Sequence, residues 1–265
     1  MRPLGDRRVF LWHGPVQFSC KGCVMEKALL TAGIFVVPTI LMVIAFRLTG
    51  RKVEWAPLLW AGFAFLVYFL LLRSQGVIPT PNFMEELTLN WFGKTMTFVG
   101  SIVMLYFLPG VSFREAGLIW TQNKGSLSPV MLMGGFVILV TTGVAMLVTS
   151  TPNTSLENLL FQATLPGIDE ELFMRGLLLL LFHQAFGKGL KVLGAHTGWG
   201  FWLAVAIFGL LHGVTIQNGE VAVSLWAIAG TGFIGFVLTW MRERTGSLVT
   251  PILFHNMTNV AQAFV

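Results

Sequence analysis

The segment PGIDEELFMRG, residues 166–176, places three acids and an arginine directly before the apolar run LLLLLF. Glu171 and Arg175 are four positions apart, so on a helix they share a face and can form a salt bridge. Glu170 is rotated by about 100° from Glu171 and therefore points elsewhere. Arg175 thus accounts for one carboxylate and leaves the other available for chemistry.

The apolar surroundings of these groups show that they cannot face lipid. Each ionised side chain at the centre of a membrane span costs roughly 2.5–3.5 kcal/mol. Four of them would cost on the order of 10 kcal/mol if unpaired. They must face an interior or a wet cavity, and Pro166 and Gly167 predict a break or wide turn through which water reaches this depth.

Two of the five histidines lie deep in apolar sequence, each at helical spacing from a partner. Phe208 precedes His212 by four positions in FWLAVAIFGLLHG, and His255 precedes Asn259 by four in PILFHNMTN. Each pair therefore shares one helical face. A carboxylate buried among apolar helices is a suitable general base for water, which predicts that role for Glu170.

Peptide hydrolysis also needs donors for the oxyanion and a proton for the leaving amine. His212 can share the proton of the water or donate to the leaving nitrogen, while His255 and Asn259 are suitable oxyanion donors. A pair of glutamates alone is weak evidence, since Glu85 and Glu86 lie together in PNFMEELTLNWFGK without an arginine at the matching position. That second pair is typical of a loop or an interfacial helix end.

A metal site is the alternative interpretation of the same residues. Two histidines and one glutamate with an open fourth position form the ligand set of a hydrolytic zinc site. Glu170, His212 and His255 could supply it, with Glu171 as base, although the local zinc signature HExxH is absent from the sequence. We favour the metal-free version slightly and commit to no cofactor; zinc stays open.

The elements that must position these residues are membrane helices. Of the 265 residues, 55% are hydrophobic and only 11% charged, about half the charge of a soluble domain. Backbone groups in lipid must be satisfied within the span, so we predict an all-α, polytopic bundle of about eight spans. Their approximate bounds are 28–46, 56–72, 95–109, 129–149, 158–183, 193–213, 221–241 and 249–265.

The remaining patterns support a membrane protein and no nucleic-acid partner. Cations such as Arg73 and Arg242 fall between apolar runs, as expected of helix ends that face lipid headgroups, and Lys94 counts among the loop cations. Cys20 and Cys23 form CKGC without the second ligand pair of a metal site. Small residues mark faces for close helix approach; they are Ala227, Thr231 and Gly235, together with Gly209 and Gly213.

The three motifs together resemble the CPBP family (CAAX proteases and bacteriocin-processing enzymes), also called ABI or type II CAAX prenyl endopeptidase-like. The family motif EExxxR matches Glu170, Glu171 and Arg175. FxxxH matches Phe208 and His212, and HxxxN matches His255 and Asn259. The resemblance covers roughly residues 155–265.

The resemblance implies an α-helical intramembrane CAAX-protease-like fold and a Glu/His-activated water. It implies that Glu170 and His212 activate the water, that His255 and Asn259 stabilise the oxyanion or orient the water, and that Glu171 and Arg175 support the site, as does Phe208. It also implies a membrane-anchored protein or peptide as substrate, prenylated or carrying a sorting tag. The metalloendopeptidase label that the family has carried keeps the metal alternative open.

These observations define the expected organisation. We expect a juxtamembrane arm (1–27), N-terminal transmembrane helices (28–154) and catalytic helices (155–265) in a multi-pass protein of the bacterial inner membrane. The rival hypothesis is a non-enzymatic membrane protein, either a proton-relay transporter or a bacteriocin-immunity or scaffold protein. The first four spans hold few ionisable groups, which favours the protease.

Overall fold

Helices dominate the structure, a computed structural model that describes residues 21–75, 77–148, 152–217 and 219–265. The helices are α1 (Lys21–Leu48), α2 (Trp55–Leu72), α3 (Asn82–Glu85), α4 (Trp91–Phe107), α5 (Leu127–Val148), α6 (Leu156–Glu171), α7 (Leu179–Phe186), α8 (Trp199–Gly213), α9 (Leu225–Thr245) and α10 (Val249–Gln262). A π-helical segment, Leu172–Leu178, joins α6 to α7.

The predicted class, an all-α membrane protein, is confirmed. Four helices of the described residues are long and apolar enough to cross a membrane: Leu29–Leu48 of α1, α2, Leu127–Leu147 of α5, and α9. Large apolar side chains such as Leu41, Leu59 and Leu139 are exposed on these helices, as expected of surfaces that contact lipid tails. The number of eight spans stays a prediction.

Two short β-hairpins correct the predicted bounds of two spans. β1 (Lys188–Val192) pairs antiparallel with β2 (Ala195–Gly198), and β3 (Val214–Gln217) pairs antiparallel with β4 (Glu220–Val223). The spans predicted over 193–213 and 221–241 therefore begin later, at Trp199 and Leu225. The apolar residues of these strands lengthened both hydrophobic runs. Hydropathy alone does not distinguish such strand residues from the helix that follows them.

The predicted break at Pro166 and Gly167 is wrong. α6 continues through both residues and becomes π-helical only after Glu171. The side-chain oxygen of Asn256 in α10 accepts a hydrogen bond from the Gly167 N–H at 2.8 Å, and its amide donates to the Thr164 carbonyl at 3.1 Å. A neighbouring helix thus satisfies backbone groups beside the proline, so the helix does not need to break.

Glycines allow α8 and α9 to approach closely, as their spacing predicts. A Cβ atom at Gly209 would lie 2.8 Å from the carbonyl oxygen of Ile228, and one at Gly213 would lie 2.8 Å from that of Ser224. Ser224 also begins α9, because its hydroxyl accepts a hydrogen bond from the Ala227 N–H. The last turn of α8, which carries His212, is therefore held against the start of α9.

Asn90 connects α2 to α4 and so fixes the N-terminal side of the bundle near α6. Its side-chain oxygen accepts from the Gly93 N–H at 3.0 Å, which caps α4. Its amide donates to the carbonyl of Leu72 at the end of α2 at 2.9 Å. The arm predicted over residues 1–27 lies mostly outside the described residues, as does Cys20, and Lys21–Lys27 form the first turns of α1.

Candidate active site

The three consecutive acids at the end of α6 have different environments. The side chains of Asp169 and Glu171 are fully buried, whereas that of Glu170 is 17% exposed. Successive helical residues point in directions about 100° apart, which separates Glu170 from its two neighbours. Glu170 is therefore the one acid of the three that water can reach.

Glu171 is the anchor between α6, the π-helical segment and α10. Its Oε1 accepts a hydrogen bond from Nη1 of Arg175 at 2.8 Å, so the salt bridge predicted from the spacing is present. The same oxygen lies 2.7 Å from Nδ1 of His255. Because a carboxylate only accepts hydrogen bonds, Nδ1 carries the hydrogen and Nε2 of His255 is directed to Glu170, 4.0 Å from its Oε2.

Arg175 explains why the sequence holds an aromatic residue four positions before His212. The guanidinium lies over the ring of Phe208, 4.1 Å from Cζ to the ring centroid, in a cation–π contact. Nη2 donates to the carbonyl of Gly235 and Nε to the hydroxyl of Thr239, both at 3.3 Å. Gly235 belongs to the face of α9 that the small residues of the sequence predict for close approach. Phe208 and Arg175 pack against this face.

His212 lies in the last turn of α8 beside the same aromatic ring. Its Nδ1 is 2.8 Å from the carbonyl oxygen of Phe208, and the two rings are 4.5 Å apart. A carbonyl accepts, so Nδ1 donates and Nε2 stays available. Both His212 and His255 are close enough to Glu170 to interact electrostatically with its carboxylate.

The asparagines of α10 divide into a structural and a candidate catalytic one. Asn259 lies one turn beyond His255 on the same face, as predicted, and its side chain makes no hydrogen bond with the described residues. Asn256, which the spacing argument passed over, holds α10 to α6 through Thr164 and Gly167. Its side chain forms hydrogen bonds with backbone groups of α6 beside Pro166. A contact between two helices of this kind cannot be predicted from the residue spacing within one helix.

Lys94 and Tyr68 are the residues that the sequence analysis missed. Lys94 was expected among loop cations, but it lies in the first turn of α4, only 5% exposed, with Nζ 2.6 Å from Oε1 of Glu170 and 3.1 Å from Oδ2 of Asp169. The Tyr68 hydroxyl of α2 donates to Oδ2 of Asp169 at 2.7 Å. Arg242, expected to face headgroups, is also buried and donates to the carbonyl of Glu115.

The arrangement does not fit the zinc alternative. No group of three His, Cys, Asp or Glu side chains in the described part of the chain is placed to hold a metal ion. Among the proposed ligands, Glu170 has one oxygen already bound by the ammonium of Lys94. A second cation on this carboxylate would have to compete with that charge, so we derive no step through a metal.

The described residues thus bring a glutamate, two histidines and a buried arginine together in a helical bundle with four candidate membrane spans. Residues 152–261, less than half of the chain, match the model of a family described as type II CAAX prenyl endopeptidase Rce1-like. This part of the chain is similar to that family of proteases, which confirms the resemblance found in the motifs. No curated protein and no solved structure matches the chain.

Proposed function

We propose that the protein is an intramembrane endopeptidase that hydrolyses a peptide bond in a membrane-associated protein, with water activated by Glu170 as nucleophile. The family supports a protease and a membrane-associated peptide substrate. The observation that carries the finer mechanism is the orientation of Glu170. Lys94 binds its Oε1, while its Oε2 faces Nε2 of His255 across 4.0 Å.

That separation suits one bridging water. A distance of 4.0 Å is too long for a direct hydrogen bond, but an oxygen at hydrogen-bond distance from both atoms can connect them. Such a water would contact the base on one side and an imidazole nitrogen on the other. Because the side chain of Glu170 is partly exposed, a water molecule can reach that position.

The reaction then follows from the groups around this water. Oε2 of Glu170 takes one proton while the water oxygen forms a bond with the carbonyl carbon. His255 and Asn259 hold the water and then the oxyanion of the tetrahedral intermediate. When the C–N bond breaks, the leaving nitrogen receives a proton from His212, which has taken it over from Glu170, or from Glu170 itself.

The structural residues keep this geometry fixed. Glu171 holds the His255 ring by Nδ1, and Arg175 balances the charge of Glu171. Phe208 covers Arg175 and contacts the His212 ring, so the three motifs depend on one another through direct contacts. The transporter or immunity-protein alternative predicts no hydrolysis, so the cleavage test decides between it and the protease.

The test uses the full chain, purified in detergent, with a panel of prenylated and unmodified membrane-anchored peptides. Cleavage is followed by mass spectrometry for the wild type, Glu170→Gln and His212→Ala. Glu86→Gln and His196→Ala serve as matched controls, since both residues are exposed and lie outside the helices that carry the site residues. We expect Glu170→Gln to lower cleavage by a factor on the order of 10²–10⁴ with the protein still folded.

Metal is measured in the same preparations. A Glu170→Gln variant that cleaves as fast as the wild type would remove Glu170 from the mechanism. Stoichiometric zinc that tracks activity, and whose removal by a chelator abolishes cleavage, would replace the proposed mechanism with a metal-dependent one. Hydrolysis of prenylated peptides alone, or of both kinds, identifies the substrate class.

A further inference from the structure

We infer that Lys94 is a positioning residue for Glu170, so that the active site is completed by helices that precede the family-matched region. The inference rests on the proposed function, because it assigns Lys94 to the same reaction. Lys94 belongs to α4 and lies far outside residues 152–261.

The contacts of Lys94 fix the orientation of Glu170. Its ammonium lies 2.6 Å from Oε1, while Oε2 is the oxygen that faces His255. A carboxylate held by one oxygen cannot rotate its plane freely, so the second oxygen keeps one direction. Lys94 thus selects which oxygen of Glu170 serves as the base.

Charge gives Lys94 a second role. Asp169 and Glu170 are adjacent acids, and Lys94 is the cation that contacts both of them, at 3.1 Å and 2.6 Å. Arg175 cannot replace it, since its guanidinium is bonded to Glu171. Two neighbouring carboxylates without a cation repel each other, and one of them then binds a proton. A protonated Glu170 would no longer be a base.

The N-terminal helices hold Lys94 in place. The Tyr68 hydroxyl donates to the same Oδ2 of Asp169 that Lys94 contacts, and the Tyr68 ring stacks on Phe173 of the π-helical segment with centroids 3.8 Å apart. Asn90 fixes the first turn of α4 against the end of α2. These contacts tie α2, α4 and α6 together around the base.

The first measurement compares Lys94→Met and Lys94→Arg with the wild type on the best peptide of the panel. Lys52→Met, at an exposed lysine between α1 and α2, is the matched control. We expect Lys94→Met to lower kcat on the order of 100-fold with little change in KM, and to move the acid limb of the pH profile to higher pH. Besides Lys94, the titratable and charged groups that interact with Glu170 are Asp169, His212, His255, Tyr68 and Arg175.

Lys94→Arg keeps the charge but replaces a point charge by a planar group. Its acid limb should stay at the wild-type pH, and its kcat should fall less than that of Lys94→Met. Equal losses in both variants, or wild-type kcat and pH profile in Lys94→Met while Glu170→Gln is inactive, would overturn the inference and leave the proposed function intact. Activity in Glu170→Gln would instead defeat the proposed function.

Infrared spectroscopy supplies a measurement that needs no substrate. Lys94→Met should gain the C=O stretching band of a protonated carboxyl group at neutral pH, and the double variants with Glu170→Gln or Asp169→Asn assign it. We expect the band to disappear with Glu170→Gln. The charge argument fails if Lys94→Met gains no band, or if only Asp169→Asn removes the band. This result does not depend on whether a cleaved peptide has been found. Lys94→Arg, which retains the charge, tests the same point should Lys94→Met not fold, and it should show no band.

Discussion

Glu171 and His255 are 84 positions apart in the chain, yet Oε1 of the first and Nδ1 of the second are 2.7 Å apart in a buried contact. This contact sets the tautomer of the neutral ring and aims Nε2 toward Glu170. It also makes the second glutamate of the EExxxR motif a residue that acts through another one. The proposed function therefore gives the two glutamates of the motif separate tasks, in line with their different exposure.

Replacing Glu171 by Gln tests that division of tasks. The amide keeps the shape but removes the charge opposite Arg175 and His255, so we expect cleavage to fall by roughly 10²–10⁴. Stability should fall as well, because Arg175 stays buried without its partner. Activity is measured with the peptide panel, and unfolding with a thermal ramp in detergent. Glu85→Gln, at an exposed glutamate, should change neither; wild-type cleavage by Glu171→Gln would contradict the assigned role.

The two asparagines of α10 should separate stability from activity. Asn256→Ala removes two hydrogen bonds to the backbone of α6 and should lower the free energy of unfolding by roughly 1–3 kcal/mol. Asn259→Ala breaks no hydrogen bond with the described residues, so it should change stability by less than about 0.5 kcal/mol while slowing cleavage. Thermal unfolding and kcat of both variants decide the matter. The reverse pattern would show that the asparagine roles are exchanged.

Gly209 tests the close packing that holds the His212 turn. Gly209→Ala places a Cβ atom 2.8 Å from the carbonyl oxygen of Ile228, so α8 and α9 must move apart. We expect a loss of roughly 1–3 kcal/mol and slower cleavage. Gly143→Ala is the matched control, since a Cβ atom there meets nothing within 4 Å and alanine favours helix. Equal stability of the two variants would argue against the packing role of Gly209.

The start of α6 gives a pH-dependent prediction outside the membrane-spanning segments. Partial burial by itself raises the pKa of Glu157, but hydrogen bonds from the N–H of Leu89 and from Thr88 outweigh it and hold the pKa below its ordinary value. A lowered pKa in the folded state means that Glu157 stabilises the fold at neutral pH. That contribution should decrease as the pH falls from the ordinary glutamate value of about 4.3 through the lower value of the folded state.

Glu157→Gln measures this contribution directly. We expect the variant to unfold at a lower temperature than the wild type near pH 7, and the difference to vanish at acid pH where both side chains are uncharged. Glu115→Gln, at an exposed glutamate that makes a single local side-chain contact, should show a smaller difference. If the difference in unfolding temperature between the wild type and Glu157→Gln instead grows toward acid pH, the lowered pKa of Glu157 does not explain it.

Local spacing predicted the parts of the site that lie within one helix. The pairs Glu171 with Arg175, and Phe208 with His212, follow from positions four residues apart, and both are present. The membrane class follows from composition, because long apolar runs have few alternatives. The exposure of Glu170 also agrees with its predicted rotation away from Arg175.

Contacts between helices escaped the sequence analysis for a physical reason. Lys94 stands one residue before the predicted span at 95–109, where a cation ordinarily faces headgroups, and only the fold of α4 against α6 shows that it is buried. Asn256 was hidden in the same way, since its partners lie in another helix. The hairpins at Lys188–Gly198 and Val214–Val223 were missed because apolar strands resemble the ends of apolar helices.

The π-helical segment Leu172–Leu178 sets the angular phase between the acids of α6 and the leucine-rich turn of α7. A π turn accommodates about one residue more than an α turn, so the segment offsets everything before it by about 100°. Deleting one residue within it would let the helix run as a regular α-helix. If α7 then kept its buried face against the core, Glu170 would be rotated away from His212 and His255. One residue of chain length thus decides whether Glu170 can lie beside the two histidines in a well-packed bundle.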